Sequence, residues 1–258
     1  MSSLPLVGRR VLVTRALQQA GRFSRELRAL GAEPVEVPVL EIVEPESYAP
    51  LDDALQHLDR YDWLILTSSN TIQAVSARGA QYGINPAGAE GLQVAAVGSA
   101  TAEAARHHGF QVAVVPEAYV AESLVESLRE QVAGKRILLA RAAVARDVIP
   151  DALRAAGAQV DVVDAYRNLL PEAAPEQLRR AVAGGLDAAT FTSSSSVTHL
   201  AEAARAAAIA WPLAGVPAIS IGPITSQTLR DLGWPPAAEA EPSDISGLIK
   251  AVARVLSS

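Results

Sequence analysis

Two long stretches of this chain are versions of each other. GRRVLVTRALQQAGRFSRELRALGAEPVEVPVLEIVEP returns as GKRILLARAAVARDVIPDALRAAGAQVDVVDAYRNLLP, with Arg136 standing to Arg10 at an offset of 126 residues. The parallel runs on. DWLILTSSN (62–70) matches DAATFTSSSS (187–196), and VAAVGSATAEAARHHGF matches AISIGPITSQTLRDLGW, with Gly222 standing to Gly98 at an offset of 124. PEAYVAESLVESL matches EPSDISGLIKAV in the same way. A near-constant offset over the whole length marks an internal duplication, and so long a period means repeated domains rather than a solenoid.

Within each copy, short aliphatic runs alternate with helical stretches. Arg10–Arg15 reads as a buried strand and Gln18–Leu30 as the helix after it, ended by Gly31. Trp63–Leu66, Gln93–Val97 and Val112–Val115 are further strands, and Leu51–Leu58, Thr71–Tyr82, Ser99–His108 and Ala121–Gln131 are helices. This alternation implies parallel sheets with helices on both faces. The expected fold is α/β, with two flavodoxin-like doubly wound parallel-sheet lobes joined by a two-stranded linker.

The linker is predicted from two overlong strands. Gln159–Pro171 (QVDVVDAYRNLLP) and Glu33–Pro45 (EPVEVPVLEIVEP) are Val-rich, proline-closed and longer than the usual strand of about five or six residues. Strands of this kind at matching places suggest connectors, near 36–45 and 160–170. Lobe one then holds residues 1–38 plus 171–258, and lobe two residues 39–166. Tyr166 falls at the hinge, with a cleft beside it.

Composition excludes several chemistries. Cysteine is absent, so disulfides, thiolate catalysis and Cys-ligated metals are out. The four histidines lack metal spacing, and adjacent His107 and His108 point about 100° apart on a helix. A net charge of −6 argues against a general nucleic-acid binder, but local arginines and helix N-termini still suit a small anion. MSSLPLVGRR has no long apolar core and no run of about 18 apolar residues occurs, so the expectation is a cytoplasmic protein without membrane partners. Neither G-x-x-x-x-G-K-[ST] nor a G-x-G-x-x-G after the first strand is present, and FTSSSSV is not G-x-S-x-G.

Open parallel sheets bind ligands beyond the carboxyl ends of their strands. Small hydroxyl residues gather at those ends: Thr14-Arg15, Thr67-Ser68-Ser69-Asn70, Gly98-Ser99-Ala100-Thr101, Thr192–Ser196 and Gly222–Ser226. Hydroxyls and free N–H groups there can take an anion with help from the helix dipole. The same residue types are ordinary N-caps, so either role is open at any one loop. Tyr166 is either strand packing or an acid, since a phenol is a neutral donor near pH 7 and can assist a departing hydroxyl. Arg167 should face the other way.

VLVTR, ILTSSN, AVGSATA, VDAYR and ISIGPITSQTL, in that order within a duplicated α/β pattern, resemble the uroporphyrinogen-III synthase family over nearly the whole chain. The resemblance implies a lyase of porphyrin and haem biosynthesis that cyclises hydroxymethylbilane, losing water and inverting ring D, with no cofactor and no metal. It implies Tyr166 as the catalytic group. It also implies substrate-binding roles for Arg15, Ser68, Ser69, Thr101, Ser193, Ser194 and Thr225, and a monomer. Ala16 stands where the family often has proline after VTR, and Pro217–Ile221 lacks a lysine found there in some members. The rival reading is a non-catalytic two-lobed small-molecule binding protein. It calls for aromatic platforms and a carboxylate-rich sugar site, and there are only three tryptophans.

Overall fold

Strands form where short aliphatic runs can be covered on both faces. WLIL at 63–66 and AATF at 188–191 are buried at every position, the burial pattern of interior strands in a parallel sheet. The computed structural model describes residues 4–116 and 121–257. Part of PEAYVAESLVESL and the first three residues of MSSLPLVGRR therefore lie outside the described residues. In chain order the strands are β1 (Arg10–Val13), β2 (Glu33–Glu36), β3 (Glu41–Val43), β4 (Trp63–Leu66), β5 (Gln93–Ala96), β6 (Val112–Val114), β7 (Arg136–Ala142), β8 (Gln159–Leu169), β9 (Ala188–Phe191), β10 (Ala218–Ser220) and β11 (Ala238–Glu239). The helices are α1 (Leu17–Ala29), α2 (Ala49–Gln56), α3 (Ser69–Gln81), α4 (Ser99–His107), α5 (Ala121–Leu128), α6 (Val148–Ala155), α7 (Ala174–Ala183), α8 (Ser194–Ala206), α9 (Pro223–Asp231) and α10 (Ile245–Leu256). Among the described residues none of them is long and apolar enough to cross a membrane.

The chain divides into two compact units, Met1–Ile42 with Leu169–Ser258 and Val43–Asn168. The first contains a five-stranded sheet in the order β11-β10-β9-β1-β2, with every pair parallel. Alternation along β1 builds its two cores. Leu12 meets Phe191, Leu200 and Trp234 on one face, while Val11 and Val13 meet Phe23, Leu27 and Val252 on the other. At the carboxyl ends, Thr14 Oγ1 donates to Thr190 O at 2.8 Å and Thr190 Oγ1 donates to Leu12 O at 2.7 Å. These reciprocal bonds tie β1 to β9.

The second sheet has the order β3-β8-β7-β4-β5-β6, and β8, β7, β4, β5 and β6 run parallel. Leu64, Leu66, Leu138 and Val163 pack under α2 and α3 through Leu51, Leu55, Ile72 and Val75. Trp63, Ile65, Ile137, Leu139 and Val160 pack under α5 and α6 through Leu124, Leu128 and Leu153.

The two overlong stretches behave differently. Glu33–Pro45 is two strands: β2 pairs with β1, and β3 lies at the edge of the other sheet. Val37 and Val39 still donate to Val13 O and Thr14 O, at 3.0 and 3.4 Å. β2 itself ends at Glu36, two residues before Pro38, and β3 begins at Glu41. Gln159–Leu169, by contrast, is one strand of 11 residues. Its register against β7 slips once, from Arg141↔Asp164 to Ala142↔Tyr166, leaving Ala165 as an extra residue. A bulge of this kind turns the side chains beyond it. Val160 and Val162 accordingly pack with one core, whereas Val163, Ala165 and Tyr166 all pack with the other.

Near its start, β8 is pinned by a polar cluster. Tyr61 Oη donates to Asp161 Oδ2 at 2.8 Å, and Arg136 Nη2 donates to the same oxygen at 3.0 Å. Burial, then the hydrogen bond and charge of Asp161, push the Tyr61 phenol up to about 12. An unfolded tyrosine titrates near about 10. The raised value therefore contributes stability that is complete below about pH 10 and is lost as pH climbs towards 12. Denaturant melts across that window should show wild type losing stability more steeply than Tyr61→Phe. Parallel pH slopes would contradict the assignment.

Candidate active site

Where β4 ends, the chain turns through Thr67 and Ser68 into α3. Ser68 is extended, with φ −161° and ψ 166°, and its Oγ accepts from Thr71 N at 3.2 Å as an N-cap. Around it, four hydroxyls form a chain. Ser68 Oγ lies 3.2 Å from Tyr166 Oη and 3.0 Å from Thr71 Oγ1, which lies 3.2 Å from Thr67 Oγ1. Thr67 Oγ1 in turn donates to Ala140 O at 3.3 Å.

Counting protons gives this chain a direction. A hydroxyl has one proton, and a carbonyl oxygen can only accept. Thr67 spends its proton on Ala140 O, so Thr71 must be the donor to Thr67. Ser68 must then donate to Thr71, and Tyr166 to Ser68. Ser68 Oγ thus accepts twice, from Thr71 N–H and Tyr166 O–H, and donates once. Tyr166 is thus the head of a donor chain that terminates on a peptide carbonyl.

Tyr166 and Ser68 border a recess of about 210 Å³, lined also by Thr67, Val97, Leu139, Arg141, Arg146 and Ile149. It lies beyond the carboxyl ends of β4, β5 and β7, where ligands bind in sheets of this type. Sites that enclose a drug-sized molecule run to about 300–1,000 Å³, so this recess is smaller than such a site. Arg141 is fixed in the wall: its Nη1 donates to Arg146 O at 3.0 Å and its Nη2 to Asp147 Oδ1 at 2.6 Å. Arg146 is exposed and stands 3.8 Å from Glu122. Arg167 does turn away, donating to Glu44 O at 3.0 Å.

Of the residues given a catalytic or substrate-binding role from sequence, Ser68 and Tyr166 line this recess, and so does Thr67 from the same strand-end loop. Ser69 is exposed at the first position of α3, and Thr101 is half-buried at the third position of α4. Ser193 is the N-cap of α8, in a reciprocal capping box with Ser196. Ser194 Oγ accepts from Thr228 Oγ1 at 2.9 Å. Thr225 is buried in the first turn of α9. Arg15 lies two residues beyond β1, partly buried, and its Nε is out of reach of solvent and has no hydrogen-bond partner among the described residues. Burial pulls its guanidinium below the usual arginine range.

Residues 21–250 match the family model described as Uroporphyrinogen-III synthase HemD. A uroporphyrinogen-III synthase from Synechococcus elongatus is 36% identical over 257 residues, covering 98% of this chain and 97% of the relative. The chain belongs to the uroporphyrinogen-III synthase family. A putative uroporphyrinogen-III synthase from Methanothermobacter thermautotrophicus is 32% identical over 229 residues, covering 86% of this chain and 88% of its own. Among solved structures, a mutant uroporphyrinogen III synthase from Thermus thermophilus shares the fold with a TM-score of 0.68 at 21% identity, covering 96% of this chain and 99% of its own. The Helicobacter pylori uroporphyrinogen-III synthetase does so with a TM-score of 0.61 at 15% identity, covering 96% and 99%.

Sequence reasoning about this synthase-family chain missed Thr71, Arg141 and Arg146. One signal was available: at the repeat offset of 126, Arg141 is the counterpart of Arg15. Thr71 could not be singled out, because a buried Thr in a first helical turn reads as ordinary packing. The cap makes a simple test. Ser68→Ala should lower the unfolding free energy by about 1 kcal/mol, and Ser69→Ala, at an exposed position outside the cap, should leave it nearly unchanged. Urea melts of both variants measure the difference.

Proposed function

We propose that this chain cyclises hydroxymethylbilane to uroporphyrinogen III, losing water and inverting ring D, with Tyr166 assisting departure of the hydroxyl. The observation that carries the reading is the Tyr166 phenol at the head of the Ser68–Thr71–Thr67 chain, bordering the recess, in a member of this family. On substrate binding, the Tyr166 O–H turns from Ser68 to the leaving oxygen. Ser68 Oγ keeps its Thr71 N–H donor, so the helix cap survives the change. Once the phenol has given up its proton, the Ser68 O–H can rotate from Thr71 to the phenolate. General-acid help of this type is worth typically about 10²–10⁴-fold. The leaving group departs from a pyrrole methylene whose nitrogen lone pair spreads the developing positive charge, so a neutral donor is strong enough.

Regiochemistry is the harder task. The free linear substrate closes without inversion, so the protein must favour attack at the substituted carbon through a spiro intermediate. Orientation and exclusion of water supply that preference. We read Arg15, Ser68, Ser69, Thr101, Ser193, Ser194 and Thr225 as sharing the substrate with main-chain N–H groups. The reaction in this form calls on no metal or organic cofactor, and we expect a cytoplasmic monomer.

The duplication belongs to the same reading. Applying the repeat offset turns β2-β1-β9-β10-β11 into β8-β7-β4-β5-β6, the order of the second sheet without its edge strand β3. The edge strand β3 aside, each copy of the repeat then supplies two strands to one sheet and three to the other, in the flavodoxin-like order. The stretches near 36–45 and 160–170 are the connectors that such an exchange requires.

Feeding hydroxymethylbilane and identifying the isomer formed tests the activity; binding without turnover would favour a non-catalytic binding protein. Tyr166→Phe should lower kcat by about 10²-fold with little change in melting temperature, and wild-type turnover would remove the phenol from the mechanism. Single changes at Ser69, Thr101, Ser193, Ser194 or Thr225 should cost less than about tenfold, because one shared hydrogen bond is worth about 1 kcal/mol. A loss of about a thousandfold at Thr225 alone would contradict shared binding.

A further inference from the structure

The carboxyl end of β10 carries a polar group that its repeat counterpart lacks. Ser220 and Ser226 are both fully buried, and their Oγ atoms lie 2.6 Å apart. Ser226 Oγ donates to Glu239 Oε2 on the neighbouring strand β11, where Glu239 is half-buried. Ser226 has one proton and gives it to the carboxylate, so Ser220 must donate to Ser226. At the offset of 124, Ser220, Ser226 and Glu239 stand where the other copy has Ala96, Ala102 and Val115. Ala96 and Ala102 are equally buried. The same strand–helix–strand corner is thus built elsewhere in this chain without a polar side chain.

Folding alone gives no reason for the exchange. A buried hydroxyl costs free energy unless it is bonded, and a bonded polar set is often no better than an apolar one of similar volume. What directional bonds add is position. Ser226 is the fourth residue of α9, and its Oγ ties the first turn of that helix to β11 through a charge-assisted bond. A second contact holds the same turn. A Cβ on Gly222, the N-cap of α9, would sit 3.1 Å from Ser243 Oγ, so the missing side chain lets the loop after β11 lie close against it. Helix α9 has no side-chain cap of its own, whereas α8 is fixed by the Ser193 capping box. The turn that Glu239 holds includes Thr225, immediately before Ser226.

We infer that Glu239, acting through Ser226, is a positioning residue that fixes the α9 turn so that Thr225 meets the substrate in one orientation. The inference rests on the proposed reading of Thr225 as a substrate-binding residue and adds the group that sets it in place. Glu239 itself touches no substrate in this scheme.

Exchanging the set for that of the other copy tests it, with Ser220→Ala, Ser226→Ala and Glu239→Val in one variant. This triple variant should melt at or above the wild-type temperature, because apolar residues replace a buried polar set. With hydroxymethylbilane its KM should rise about fivefold, the worth of one hydrogen bond, while kcat stays within about threefold. Added to Thr225→Val, the same exchange should raise KM by less than about twofold, since the hydroxyl it orients is gone. Glu239→Gln, which keeps an oxygen for Ser226, should recover most of the affinity lost in Glu239→Val. Amide exchange at Ser226, whose N–H donates to Gly222 O at 2.9 Å, should quicken about tenfold in the triple variant. An unchanged KM, a triple variant that melts below wild type, or an undiminished rise on top of Thr225→Val would each overturn the positioning role. A wild type that leaves hydroxymethylbilane unconverted would strike the proposed function. Amide exchange then decides the rest: a faster rate at Ser226 keeps Glu239 as the group that holds the turn, and an unchanged rate removes it.

Discussion

One extra residue in β8 governs where the Tyr166 phenol points. Up to Asp164 the strand pairs residue for residue with β7, and Val160 and Val162 share a face as alternation demands. Strict alternation would have placed Tyr166 with them. The unpaired Ala165 breaks the count, and the phenol joins the core of Val163 on the opposite side, within reach of Ser68. The hydroxyl chain, the recess and the proposed acid role all depend on that slip. A parallel ladder tolerates it here because β7 is ending, with Ala142 its last residue.

The chemistry of the strand ends follows from the same architecture. A parallel sheet delivers every strand to the same edge, and the turns there must satisfy helix N–H groups. Ser68 and Ser193 do this with their own oxygens. Ser68 also accepts from a phenol, so a stability element and a candidate catalytic element are one atom. At Ala16, the N-cap of α1, no side-chain cap hydrogen bond is made.

Much of the fold was legible in the residues. The alternation of aliphatic runs and helices, with the repeat, was enough for parallel sheets, because strands such as WLIL have no polar face to give to water. Two things were not legible. Glu33–Pro45 reads as one overlong strand crossing between lobes, and only the pairing shows that it is two short strands, β2 and β3, in different sheets. The bulge at Ala165 leaves no mark in composition, because an inserted residue looks like any other member of a Val-rich strand. Sequence therefore singled out Tyr166 and Ser68 without giving a reason for them to meet. Thr71 was passed over for another reason: its contacts with Thr67 and Ser68 are local, four and three residues back, and a buried Thr in a first helical turn reads as ordinary packing.

A chain of hydroxyls that ends on Ala140 O has nowhere to keep a proton. A peptide carbonyl accepts a hydrogen bond and has no hydrogen of its own to return, and none of the three hydroxyls behind Tyr166 is an acid or a base near neutrality. The wire is a cul-de-sac: it can reorient, but it cannot import or export charge. Whatever proton leaves through the phenol oxygen must come back through that same oxygen before another cycle begins.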